Sequence, residues 1–209
     1  MGKVFYTVAD THFGDVVVLR FRNREKRRFD DVNEMNRVLL KVWKEITSDG
    51  SVIFVGDMAR DESPFPWLKR LPRNLSSFIM GNHDRINGHH PKVMFANFYR
   101  IRFNGKTHKF AFIHNPRQFN RNQNGHILVH GHIHNHKDYP FWNGKKRWAN
   151  VAADRTAGLP VPLTLLAHLD QLKHPTVYSL WDLDPKLLRL HYMSKAQQYV
   201  VDCAIERFK

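Results

Sequence analysis

A single cysteine, Cys203, stands among 209 residues. That excludes an internal disulfide and a thiolate-built structural zinc site. Acidic side chains are also scarce: 19 Asp and Glu face 33 Lys and Arg, leaving a formal net charge of +14. A field of that sign favours nucleic acid, nucleotides and other anions as partners and says nothing about fold. No apolar run approaches the roughly 20 residues of a membrane span, and the strand-like run near Met1 is too short for a signal-peptide core. Internal repeats and low-complexity tracts are missing too. We therefore expect a cytoplasmic protein that binds no membrane, folded as one domain over residues 1–209. Its core is expected over about 1–158, followed by a C-terminal helical extension over about 159–209. Nothing in the chain fixes an oligomeric state.

Short apolar runs alternate with a helical pattern in the first half. Val4 to Ala9, Ser51 to Val55 and Ser77 to Met80 read as buried strands. Between the first two, Asp31 with Glu34 resembles a capping box, and Val32, Met35, Leu39, Val42, Trp43 and Ile46 recur at helical spacing. Strand, helix and strand at this pitch imply parallel βαβ units, with ligands collected at the carboxyl ends of the strands. The second half differs. Arg100 to Phe103 and Lys109 to His114 flank "NGKTH" and imply a hairpin, with further strands at His126 to His130 and Arg147 to Ala152. Pro162 to Lys173 reads as a helix. A second, long helix is expected from Asp184-Pro185 to about Phe208, its apolar face of Leu187, Leu188, Tyr192, Tyr199, Val200 and Cys203 lying in the core or a dimer contact.

Metal-type donors stand at the ends of these runs. "ADTHFGD", "VGDMARD", "MGNHDR", "FIHNPR" and "LVHGHIHNH" each deliver Asp, Asn or His and never Cys. In extended backbone residues i and i+2 share a side, so Asp10 with His12, and His132 with His134, are expected to point in pairs into one crevice. Imidazoles mixed with carboxylate and amide oxygens suit Mn, Fe, Zn, Co or Ni better than calcium. Seven donors exceed the needs of one ion, and two ions sharing a carboxylate at roughly 3.5–4 Å account for them.

The ordered series D-x-H, G-D, G-N-H-D, H and G-H-x-H resembles that of the calcineurin-like metallophosphoesterases, over Val4 to about Asp154, and looks most like their small bacterial and phage members. The resemblance implies an α/β fold, a four-layer α/β/β/α sandwich of two mixed sheets. It implies two divalent transition-metal ions, drawn from Mn, Fe, Zn, Ni or Co with Mn favoured. Asp10, His12 and His134 would hold one ion, Asn82, His114 and His132 the other, and Asp57 would bridge. His83 would be the catalytic residue, stabilising charge or protonating the leaving oxygen as a metal-bound hydroxide attacks phosphorus. Arg85 and Arg117, beside ligand positions, are candidate substrate contacts. A phosphodiesterase acting on nucleotides or nucleic acid is the expected activity. A small-molecule phosphomonoesterase, or a non-catalytic nucleic-acid or protein-binding member, is the alternative.

Two departures bear on substrate. "GDMARD" places Arg60 before Asp61, the reverse of the protein phosphatases of the superfamily, and Asp15 stands where relatives with this opening phrase often carry His. Six basic residues from Arg20 to Arg28 are expected in a solvated loop that leaves the first ligand pair. Asp84 is expected either to cap a following helix or to orient His83. His130 is read as a packed strand-end residue and His136 as an outer neighbour of the site. His89, His90, His108, His168, His174 and His191 are read as structural.

Overall fold

Residues 4–24, 26–60, 63–72, 74–87, 90–119 and 125–209 are described by the computed structural model, so Asp61 and His89 lie outside the described residues. The strands are β1 (Val4–Val8), β2 (Gly50–Val55), β3 (Leu75–Ile79), β4 (Val93–Met94), β5 (Ala96–Phe103), β6 (Lys106–Ile113), β7 (His126–His130), β8 (Trp142–Asn143), β9 (Trp148–Asn150) and β10 (Val161–Pro162). The helices are α1 (Val16–Arg22), α2 (Val32–Ile46), α3 (Phe65–Leu68), α4 (Ala153–Thr156), α5 (Leu163–Gln171), α6 (Pro185–Arg189) and α7 (Lys195–Phe208).

The α/β architecture with two mixed five-stranded sheets agrees with the expectation. The first sheet has the order β10-β1-β2-β3-β4, the second β5-β6-β7-β9-β8. β1 to β4 run parallel, and β2, central and buried at every position, carries the apolar run Val52-Ile53-Phe54-Val55 of a strand covered on both faces. β10 joins β1 antiparallel and contains Pro162, tolerated because it is an edge strand. α2 covers one face of this sheet. Asp31 caps it by accepting from the Glu34 amide at 2.7 Å, and Met35, Leu39, Val42, Trp43 and Ile46 are buried. Trp43 stacks on Phe54 of β2 at 5.5 Å, and truncating it to Ala would cost about 3–5 kcal/mol. The opposite face meets the second sheet, where Phe5 packs on Tyr99 at 5.1 Å.

β5 and β6 pair from Ala96↔Ile113 to Phe103↔Lys106 around the two-residue turn Asn104-Gly105. Both turn residues have positive φ, 45° and 77°, as a type I′ hairpin requires. The turn is tighter than "NGKTH" suggested, since Lys106, Thr107 and His108 already belong to β6. Along β5 the alternate residues Ala96, Phe98, Arg100 and Arg102 are exposed.

Two expectations are corrected here. The long C-terminal helix is two helices: His191 and Tyr192 turn inward, Tyr192 donating to the Pro160 carbonyl at 3.0 Å, and Ser194 then opens α7 with a capping box to Gln197. Leu188, Tyr192 and Val200 of its supposed apolar face are buried, while Tyr199 and Cys203 are exposed. The stretch after β1 begins as a helix, α1, because Asp15 accepts from the amides of Val17 and Val18 at 2.7 and 3.1 Å. α7 docks against α2, and Gln197 donates to the Ile46 carbonyl (2.8 Å) and to the Tyr6 hydroxyl (3.1 Å).

Candidate metal centre

The two sheets join where their strands end. Ala9 donates to the Val151 carbonyl and accepts from Ala153, each at 3.0 Å, while Asp10 and His12 donate to the carbonyls of Gly56 and Asp57. The loops after β1, β2, β3, β6 and β7 therefore meet over one patch. Their donors do not lie in extended backbone: Asp10, His12, Asp57, His132 and His134 all have positive φ, between 47° and 71°. The left-handed region costs an L-residue about 1–2 kcal/mol, and such strain gathers at functional sites. Strand alternation therefore does not set the ligand pairs, contrary to expectation. Tight left-handed turns aim these side chains, and His132 and His134 turn to different partners.

Asp10, His12 and His134 bring one nitrogen or oxygen each within 4.8 Å of one another, and so do Asp57, His114 and His132. Asn82 Oδ1 completes the second group, 3.2 Å from His114 Nε2 and 2.7 Å from His132 Nδ1. Asp57 lies between the groups, its Oδ2 3.1 Å from His114 Nε2 and 3.9 Å from His12 Nε2. Asp10 accepts from the His132 amide through both oxygens, at 3.1 and 3.0 Å. Glycine is required at the closest approaches, because a Cβ on Gly131 would strike Asp10 Oδ2 and one on Gly81 would strike Asp57 Oδ1.

Neighbours orient the ligands. His114 gives Nδ1 to the Val55 carbonyl at 2.8 Å, leaving Nε2 for the centre. His134 gives Nδ1 to Asp154 at 2.7 Å, and Arg22 Nε donates to the other Asp154 oxygen at 3.0 Å. Arg22 is buried and also donates to the carbonyls of Asp10 (2.7 Å) and Thr11 (3.1 Å), so one guanidinium ties α1 to the ligand loop. Arg28 donates to the carbonyls of Arg22 and Phe208. Two of the six residues expected to be solvated are thus fixed structural contacts. Asp84 caps none of the described helices. It accepts from the amides of Asp57 (2.8 Å), Met58 (2.9 Å) and Gly81 (2.9 Å), clamping two ligand loops together. Asp15 Oδ2 stands 3.4 Å from His12 Nδ1 and 3.6 Å from Arg60.

The residues present fit divalent cations. His12 is buried with neither ring nitrogen hydrogen-bonded, and its Nε2 faces Asp10 and Asp57 at 4.0 and 3.9 Å. A buried polar atom left in this way calls for a partner. Burial opposes charge on His114, yet its bond to Asp57 and the Asp10 charge push it up to about 9. His134 is likewise raised to about 9, burial being outweighed by Asp154 and Asp10. For Asp57 burial works against ionisation, but His114 and the His83 amide bring it down to about 2. The field of these carboxylates thus favours positive charge.

A cleft of about 640 Å³ opens on the first group. His12, His83, His134 and Asp154 form its floor, and its walls include Phe21, Arg24, Arg60 and Trp181. His83 is half-buried, its amide donates to Asp57 at 2.9 Å, and its ring lies 5.6 Å from that of His12. Arg85 and Arg117 are exposed and do not line this cleft; Arg85 donates to the Asn82 carbonyl at 3.4 Å. His130 is fully buried beside Tyr139 and Trp148, and burial lowers it to about 4. His136 is exposed, and its carbonyl accepts from Arg155 at 3.0 Å.

Asp154, Arg155 and Trp181 carried no site expectation in the sequence, and Arg22 was expected only in a solvated loop. "NVAAD" ended in Asp154, but only the folded chain pairs that carboxylate with a histidine 20 residues earlier and an arginine 132 residues earlier.

The family model for calcineurin-like phosphoesterases matches residues 4–194. The uncharacterized protein MJ1445 of Methanocaldococcus jannaschii is 34% identical over 174 residues, 80% of this chain and 91% of that protein. The crystal structure of AQ665 from Aquifex aeolicus, a protein of unknown function, superposes with a TM-score of 0.54 at 18% identity, covering 82% of this chain and 100% of that one. That likeness speaks to the fold.

Proposed function

We propose that this chain, which belongs to the calcineurin-like phosphoesterases, hydrolyses phosphate esters with two divalent ions held side by side. The observation that carries this reading is the pair of three-donor groups with Asp57 between them at the head of an open cleft. Asp10, His12 and His134 would hold one ion and His114, His132 and Asn82 the other, with Asp57 available to either. Such ions supply Lewis acidity and lower the pKa of coordinated water towards ~7. Mn²⁺ is first among the candidates, given mixed carboxylate, amide and imidazole donors.

The chain's own groups do the rest. His114 and His134 are locked by Val55 and Asp154 with Nε2 directed inward. His83 fronts the cleft, from where its ring proton reaches a leaving oxygen, a transfer worth about 10²–10⁴-fold. Arg24 and Arg60 give the cleft walls positive charge for the phosphate, and Phe21 and Trp181 give apolar surface to an organic substituent. A cleft of this size suits a substrate larger than a phosphate group, which supports a phosphodiesterase acting on nucleotides or nucleic acid. The single cysteine supports a reducing, cytoplasmic setting, and no helix among the described residues is long and apolar enough to cross a membrane.

The test compares turnover of bis-p-nitrophenyl phosphate and p-nitrophenyl phosphate by Mn²⁺-loaded protein. Faster diester turnover is expected. Faster monoester turnover assigns the small-molecule phosphomonoesterase reading instead, and turnover of neither removes the enzymatic one.

A further inference from the structure

The positive charge is concentrated in one segment of the chain. Between Arg85 and Ala153 the chain carries 12 Lys and Arg against one acid, Asp138, so +11 of the net +14 falls in that segment. It builds the second sheet, whose five strands contain no Asp or Glu. Register places Phe98, Ala111, Leu128 and Trp148 in one row across this sheet and Arg100, Lys109 and His126 in the next. Paired residues share a face, and this is the face turned away from Tyr99, which packs on the first sheet.

Phe98 is 50% exposed, with its ring edge-on to His126 at 5.5 Å, and Lys146 sits over Trp148 with Nζ 4.9 Å from the ring. Arg100, Arg102 and Lys109 are exposed. At Lys109 the face runs into a cavity of about 550 Å³ also lined by Lys106, Arg147 and Lys173. The one carboxylate lining that cavity, Asp170, is already taken by Arg147 at 2.6 and 3.0 Å. Lys106, Lys109 and Lys173 are left for an outside anion.

We propose that this face binds single-stranded nucleic acid, with a base stacked on Phe98 and the backbone following Arg100, Lys109 and the cavity cations. Side chains two apart on one strand recur about every 7 Å, so an exposed ring and the next cation stand at the spacing of a base and its flanking phosphate. Stacking on an aromatic side chain needs a free π-face, which a single strand offers and a duplex hides. None of Phe98, Arg100, Lys109, His126 and Trp148 lines the cleft, so the role of this surface does not depend on hydrolysis.

Fluorescence anisotropy of a labelled oligothymidylate with the full-length metal-loaded protein, probe integrity being checked on a gel, tests the proposal. Wild type should bind with an affinity that falls as salt rises. Phe98→Ala, and equally Phe98→Leu, should weaken binding about 10-fold. Arg100→Gln with Lys109→Gln should lower the log–log salt slope by roughly 0.7 for each phosphate contact removed. Turnover of bis-p-nitrophenyl phosphate should be unchanged in all of these variants, which establishes that they are folded. No binding by wild type, or equal binding by wild type and the variants, overturns the proposal. So does a duplex bound as tightly as the single strand with Phe98→Ala silent. Self-association in sedimentation that Phe98→Ala abolishes, without oligothymidylate binding, gives the face to a second copy of the chain and also overturns it.

Discussion

The carboxylate of Asp154 accepts a 2.7 Å hydrogen bond from Nδ1 of His134. This bond fixes the tautomer and the ring plane and leaves Nε2 for the centre, a role outer carboxylates commonly play for metal-binding histidines. Burial opposes ionisation of Asp154, but the charge of Arg22 and the bond to His134 hold it well below the usual carboxylate range. Asp154→Ala should therefore weaken metal binding about 10–100-fold, and Asp154→Asn, which keeps an acceptor oxygen, should weaken it less. Isothermal titration of Mn²⁺ into metal-free protein checks both, and equal affinity in wild type and Asp154→Ala would deny the bond a role.

Arg22 is the second half of that relationship. It is buried beside Asp154 and donates to two ligand-loop carbonyls. Removing one partner of a buried pair leaves the other charge uncompensated, so Arg22→Met should cost about 3–5 kcal/mol in urea unfolding. Arg27, exposed and paired with exposed Asp30, should tolerate the same change within about 0.5 kcal/mol.

His83 and Asn82 are neighbours with different duties. Asn82 Oδ1 touches two ligand histidines, whereas the His83 ring faces the cleft. His83→Ala should lower kcat about 10²–10⁴-fold with metal content retained. Asn82→Ala should lose metal first and recover turnover as Mn²⁺ is raised. Metal loss confined to the His83 variant would reverse the assignment.

How much of this the chain disclosed depended on range. Asp10, His12, Asp57, Asn82, His114, His132 and His134 were legible because each follows an apolar run, so its place at a strand end needed only local pattern. The left-handed turns that aim them were not legible, because Asp and His signal no such geometry without their neighbours. α1 was missed because Val16-Val17-Val18 is β-branched and the helix depends on its Asp15 cap. Asp154, Arg22 and Trp181 are brought to the site from distant segments, which local periodicity does not register. The break at Leu190 to Ser194 was hidden by an apolar pattern continuing through buried His191 and Tyr192. Lastly, basic residues are dense from Arg20 to Arg28, yet most of the net excess lies between Arg85 and Ala153, the segment that builds the second sheet and carries one acid.

Stability should depend on pH through a histidine remote from the centre. His191 is buried, with Nδ1 3.0 Å from Thr164 Oγ1 and Nε2 3.0 Å from His168 Nδ1. Burial first, and then the charge of His168, lower it to about 4. The folded value lies below the unfolded one of about 6.5, so between them the unfolded chain binds the extra proton. Its contribution is full above about 6.5 and is lost as pH falls towards 4, on the order of 2 kcal/mol. Urea midpoints at neutral pH and near pH 4.5 should differ less for His191→Gln than for wild type, and an identical difference would remove His191 as the cause.

The central claim is that two neighbouring ions, gathered by seven side chains from five loops, make this chain a phosphoesterase. It is tested most directly by titrating Mn²⁺ into chelator-stripped protein while bound metal per chain and turnover of bis-p-nitrophenyl phosphate are followed together. Turnover should be absent without metal and rise to a plateau as occupancy approaches two ions per chain, with Asp57→Asn reaching neither the occupancy nor the rate. Binding of no transition ion, or full turnover that persists without one, would contradict the account.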